Sequence, residues 1–194
     1  MKYDKIWKVA TLAMIALVAL MTSVFYYNNS TTIVILTRHA EPDSAATCSP
    51  ATVNTIQNRP LLAAGELRAQ ELRHVVEDTG IQAVYASELC RTQQTVEDTA
   101  TALGLTVNAV AQHAADGAAN VDDLVNQVNS NNTGQKVLIA GHTDTVPMII
   151  EKLGGGAIDP ITGNEFDNLY VVTIHRWWLI KRVRVIRLKY GAAS

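Results

Sequence analysis

Cysteine, proline and glycine are all scarce in this chain of 194 residues. The only two cysteines, Cys48 and Cys90, are far apart, which excludes a zinc knuckle or a Cys-x-x-Cys redox motif. Five prolines and eleven glycines lie scattered, so no collagen-like or linker-like stretch exists. Excess charge of one sign is missing too. Sixteen basic against eighteen acidic residues give a net charge of -2, which argues against a general nucleic-acid surface. No internal repeat occurs, and the ligand cluster that a metal-dependent phosphoesterase needs is not evident. Neither metal nor cofactor is expected.

Apolar residues are plentiful, at 48%. That supports one α/β domain with a substantial core, and the length is too short for two large ones. Part of the apolar content is concentrated at the N-terminus. Residues 1–8 carry Lys2, Lys5 and Lys8, and residues 9–27 carry no charge. This run approaches the length that crosses a bilayer as a helix, with Trp7 at one border and Phe25, Tyr26 and Tyr27 at the other. The lysines predict a cytoplasmic N-terminus and a domain outside the cytoplasm, on the periplasmic side in a bacterium. A cleaved secretory signal has a similar order of segments and gives the same compartment; a buried core helix is the third reading. In that compartment Cys48 and Cys90 are either one disulfide or two unpaired core residues. A polar spacer, 28–31, would lead into the main domain, 32–191.

Within that domain, Thr32 to Leu36 reads as a strand covered on both faces. A long polar loop follows from Pro42 to Arg59. Strand and helix patterns then alternate as far as "VPMIIEKLGGG", and "NLYVVTIHR" and "RVRVIRLKYG" close the chain as two strands. This order predicts a three-layer α/β fold with a mostly parallel central sheet flanked by helices. The basic run "HRWWLIKRVRVIRLK" has the alternation of an edge strand with one wet side. Contact with anionic lipid or an acidic substrate is the alternative.

Three strands end abruptly in polar and ionisable residues: Arg38-His39 after "IVILT", Ser87, Glu88 and Arg91 after "AVYA", and His142 after "VLIAG". In parallel α/β sheets ligands bind beyond the carboxyl ends of strands, so these segments can converge. Two guanidinium groups match phosphate oxygens, and a histidine can attack phosphorus. The strings "LTRHAEP", "RPLLAAGEL", "VYASELCRTQQT" and "VLIAGHTDTVP", in this order, resemble the histidine phosphatase superfamily, the phosphoglycerate-mutase-like proteins, in its small, minimally decorated branch. The resemblance covers nearly everything after Thr31.

It implies a metal-independent phosphatase acting on phosphate monoesters. His39 would be the nucleophile that becomes a phosphohistidine, and Arg38, Arg91 and His142 would bind the phosphoryl group. Ser87, Arg59 and Asp144 are further substrate-binding candidates. Asp116 is the leading candidate for the proton donor, His113 a weaker one, and Asp144 a third. The expected partners are a phosphorylated small molecule or envelope component and, through the N-terminal helix, the membrane. The alternatives are a noncatalytic phosphate-binding or adaptor protein on the same fold, or a phosphomutase.

Overall fold

The computed structural model describes the backbone of residues 2–194 and the side chains of residues 6–25 and 29–194. Lys2, Lys5, Tyr26 and Tyr27, on which part of the membrane reading rests, therefore lie outside the described side chains. Helix α1 spans Lys2–Asn28, and its segment Ile6–Phe25 is long and apolar enough to cross a membrane. No part of that segment is buried against the rest of the protein, which removes the reading of it as a core helix.

Strand β1 (Asn29–Arg38) follows α1 without a break. Residues 28–31 are therefore not a free spacer. Asn29, Ser30 and Thr31 pair with Trp177, Arg176 and His175. The polar string carries no strand periodicity of its own; a partner strand far along the chain supplies the hydrogen bonds that extend it.

The loop after β1 holds a short hairpin, β2 (Thr52–Val53) and β3 (Ile56–Gln57), turned by Asn54 and Thr55 at positive φ. There follow α2 (Ala63–Val76), β4 (Ala83–Ala86), α3 (Cys90–Ala102), β5 (Val107–Ala109), α4 (Asp122–Asn131), β6 (Lys136–Gly141), α5 (Thr145–Leu153), β7 (Asn168–Trp177) and β8 (Ile180–Lys189). The six-stranded sheet runs in the order β5-β4-β6-β1-β7-β8. Its first four strands are parallel, and β7 and β8 add antiparallel to one edge.

Both faces of the sheet are covered. Val34 and Leu36 of β1 pack with Leu124 of α4 and Ile149 and Ile150 of α5, whereas Ile35 packs with Leu72 of α2 and Val96 of α3. Two covered faces explain why the central strands read as unbroken apolar runs rather than alternating ones. Asp144 starts α5 by accepting a hydrogen bond from the Thr145 N–H, and Gly154, in the left-handed region, ends it.

Three contacts hold the loops at the carboxyl ends of the strands. Cys48 and Cys90 form a disulfide that joins the loop after β1 to the first residue of α3. Gly65, in the first turn of α2, lies so close to the backbone of Glu41 that a Cβ there would overlap the Glu41 carbonyl oxygen. Arg68, one turn later, forms a buried ion pair with the Glu41 carboxylate at 2.7 Å. The chain leaving β1 is thereby clamped to α2 just two residues after His39.

Candidate active site

Arg38 ends β1 and His39 follows it, so both stand at the carboxyl edge of the sheet. The Arg38 side chain is nearly buried. Its Nη1 donates to the carbonyls of Thr162, Gly163 and Glu165 at 2.9–3.1 Å, and its guanidinium lies 4.0 Å over the Phe166 ring. These contacts fix the plane of the fork. The buried Nε has no hydrogen-bond partner in the protein. Burial and the nearby charge of Arg91 push the Arg38 pKa down to about 10, so it is still a cation at neutral pH.

His39 is 5% exposed, and its Nδ1 stands 2.7 Å from the Ala40 carbonyl oxygen. A carbonyl only accepts, so Nδ1 carries the proton and the lone pair is left on Nε2. Burial, followed by the charge of Arg91, pushes the His39 pKa down to about 3 against the opposing pull of that carbonyl. His39 is neutral at physiological pH and so retains the lone pair that nucleophilic attack requires.

Arg91 lies in the first turn of α3, almost buried, with Nη1 donating to the Gln57 carbonyl at 2.9 Å. Burial and the neighbouring Arg59 lower its pKa, while Glu88 and Asp144 offset part of that. His142 follows β6, and its ring centroid is 5.2 Å from that of His39. Burial, then the positive influence of His39 and Arg91, holds its pKa well below the usual imidazole range. Arg38, His39, Arg59 and Arg91 line one open cavity of about 310 Å³, together with Pro42, Ile56 and Gln57. The loop hairpin β2–β3 thus forms one wall.

The other candidates divide. Arg59 joins the cavity. Ser87 is fully buried, with its Oγ 2.8 Å from His142 Nε2 and 2.7 Å from Thr92 Oγ1. It stands behind His142 rather than in the cavity, so it orients the imidazole rather than meeting a ligand. Asp144 is exposed at the start of α5, with Oδ2 3.5 Å from His113 Nε2.

Asp116 is not brought to the site. A bridge between His113 and Ala119 folds the loop back on itself, and Asp116 sits at its exposed tip, where its Oδ1 accepts from the Ala118 N–H. Its carboxylate faces a separate surface depression with Asp122, Glu151 and Lys152.

The same fold-back buries His113. Its ring centroid is 4.9 Å from that of His142, and its Nδ1 is 3.4 Å from Glu88 Oε1. His113 thus stands between two carboxylates at the edge of the histidine pair. Sequence reasoning placed Glu88 at a strand end without assigning it a role, and it passed over Gln57 and Phe166. Phe166 lies in a loop with no motif and gave no signal. Among the described residues no group of His, Cys, Asp and Glu has the arrangement of a metal site.

Comparison with known proteins places these observations. The sequence model described as histidine phosphatase superfamily (branch 1) matches residues 34–114, which include Arg38, His39, Arg91 and His113. No curated protein matches the chain by sequence. Among solved structures, the protein histidine phosphatase SixA complexed with tungstate is similar over 81% of this chain and 96% of its own, with TM-score 0.58 and 18% identity. A SixA-type protein from Nakamurella multipartitia aligns over 84% and 98%, with TM-score 0.58 and 20% identity. The mycobacterial glucosyl-3-phosphoglycerate phosphatase aligns over 83% and 100%, with TM-score 0.58 and 12% identity. These likenesses establish a shared fold.

Proposed function

We propose that this chain, whose residues 34–114 match the histidine phosphatase superfamily (branch 1), is a phosphatase hydrolysing phosphate monoesters through a phosphohistidine on His39. The observation that carries this reading is the hydrogen bond from His39 Nδ1 to the Ala40 carbonyl, in a cavity walled by three arginines. It leaves Nε2 unprotonated beside the cations that would hold a phosphoryl group.

In the first step His39 Nε2 attacks phosphorus, the ester P–O bond breaks, and the leaving oxygen takes a proton. Arg38, Arg91 and His142 hold the equatorial oxygens, whose charge the guanidinium groups balance. The Arg38 fork, fixed by three carbonyls, costs little reorganisation at that moment. In the second step water attacks the phosphohistidine and gives up a proton, the P–N bond breaks, and inorganic phosphate and neutral His39 are restored.

We assign the proton of both steps to His113 rather than Asp116. The His113 imidazole lies between the Glu88 and Asp144 carboxylates, 3.4 and 3.5 Å away, and adjoins His142. Asp116 faces another surface. Arg59 and Asp144 would then meet the part of the substrate that leaves. The open cavity does little to exclude water, which favours hydrolysis over the mutase reading.

We further read α1 as a membrane span, with the N-terminus cytoplasmic and the catalytic domain outside. The disulfide supports the same compartment, because such bridges persist where the surroundings are oxidising. The substrate would be a phosphorylated small molecule or envelope component.

The test is phosphate release by the full chain in detergent, with chelator present, against an aryl phosphate and a panel of natural phosphoesters. Activity should vanish in His39→Ala, and rapid quenching should trap a phosphoenzyme that is labile in acid and stable in base. Full activity in His39→Ala would overturn the mechanism; folded wild-type protein that binds phosphate and releases none would favour the adaptor reading.

A further inference from the structure

The turn between β7 and β8 runs against ordinary hairpin chemistry. Trp177 pairs with Ile180, so Trp178 and Leu179 form a two-residue loop. Such loops favour glycine, asparagine or aspartate where φ is positive. Here Trp178 occupies the left-handed region with φ 54. A bulky side chain is strained in that region. Leu179 is 97% exposed, and Trp177, Trp178 and Ile180 are largely exposed as well. Strain and exposure together mark a turn kept for its surface rather than for the fold.

We propose that this turn is a second membrane contact, in which Trp177, Trp178, Leu179 and Ile180 enter the apolar edge of the bilayer beside α1 while Lys181, Arg182 and Arg184 meet anionic headgroups. The proposal rests on the reading of α1 as a span. Two observations join the turn to that helix. Trp177 pairs with Asn29, the residue directly after α1. Trp178 lines an apolar cleft with Leu17, Leu20, Met21, Val24 and Phe25, so the turn follows the helix back from its end. Phe25 and Asn29 mark the border at which the apolar segment ends, so the turn sits where aromatic side chains settle between hydrocarbon and headgroups.

The charges agree. No acidic residue occurs from His175 to Lys189. At the end of β8 near the catalytic edge the cations are neutralised, Arg187 by Glu165 and Lys189 by Asp167. At the α1 end, Lys181, Arg182 and Arg184 have no acidic partner among the described residues. Unneutralised cations beside exposed tryptophans fit an anionic lipid surface.

Trp7, Trp177 and Trp178 are the only tryptophans, so Trp7→Phe leaves the turn as the sole source of tryptophan emission. The full chain with this change is reconstituted in vesicles of neutral and anionic phospholipid brominated near the headgroup end of the acyl chains. About half or more of the emission should be quenched, as for an interfacial aromatic, and less in purely neutral vesicles or after Arg182→Glu with Arg184→Glu. Alkaline extraction of the same vesicles reports on α1 separately. Protein that resists extraction but shows unquenched emission overturns the turn contact and leaves the span standing. Protein released by alkali and unquenched overturns both. Unquenched protein whose copies cross-link through the turn assigns this surface to a second copy and likewise overturns the proposal.

Discussion

Replacing both cysteines tests how much of the cavity wall depends on one covalent tie. Cys48 and Cys90 are 42 residues apart. Closing a loop of that length removes chain entropy from the unfolded state worth about 4 kcal/mol at 25 °C. Cys48→Ala with Cys90→Ala should therefore cost about 2–4 kcal/mol, a large part of a domain's net stability. The functional effect follows from the same place. The Cys48 N–H donates to the Asn58 carbonyl and the Cys90 N–H to Asn58 Oδ1, both at 2.8 Å, and Gln57 holds Arg91. Freeing this loop loosens Arg91 and Arg59, so KM should rise for the same substrate while the His39 chemistry persists. Denaturant unfolding in detergent, with and without reductant, measures the first effect, and steady-state kinetics the second. An unfolding free energy moved by less than about 1 kcal/mol, or two thiols that alkylate in the unreduced native protein, would refute the reasoning.

Three other outcomes are expected. His113→Gln should slow substrates with poor leaving groups by about 100-fold or more and an aryl phosphate far less, since only the former need a general acid; equal loss on both would remove His113 from that role. Gly65→Ala should lower stability by about 1–3 kcal/mol, because the Glu41 carbonyl must move and the Arg68 ion pair with it; thermal unfolding checks this. The pKa of His39 falls from 6.5 to about 3 on folding, and that of His142 falls too. The unfolded chain then binds more protons than the folded one in this window, so stability should drop as pH is lowered from about 6.5 toward 3, and His39→Gln should flatten part of that slope when melting is followed at several pH values.

Much of the catalytic edge could be read from the chain because its residues sit at fixed offsets from buried strands. Arg38 and His39 end β1, His142 follows β6, and Arg91 occupies the first helical turn after β4. Strand register fixes where such residues emerge, and apolar runs declare the strands. The placement of His113, the proposed proton donor, was not readable in this way. Residues 110–121 have no apolar period, and the bridge that buries His113 and exposes Asp116 arises from a turn at Gly117, whose φ is 86. Phe166 and the carbonyls that cradle Arg38 come from a loop whose path depends on packing against distant elements. The strand pairing of residues 29–31 escaped notice for a related reason, since a polar string gains its partner only when β7 arrives.

Strand β1 joins the apolar helix at Asn29 to His39, the proposed nucleophile next to Arg38, with nothing between them but extended backbone. Nine residue steps at about 3.3 Å amount to a rigid arm of about 30 Å. On a protein anchored as proposed, this arm would act as a standoff that places the cavity at the end of β1 farther from the lipid. A phosphate buried among headgroups lies behind the catalytic edge, out of its sweep. If α1 spans a membrane as proposed, the arm would select substrates by height, before any contact with Arg59 or Arg91 selected them by chemistry.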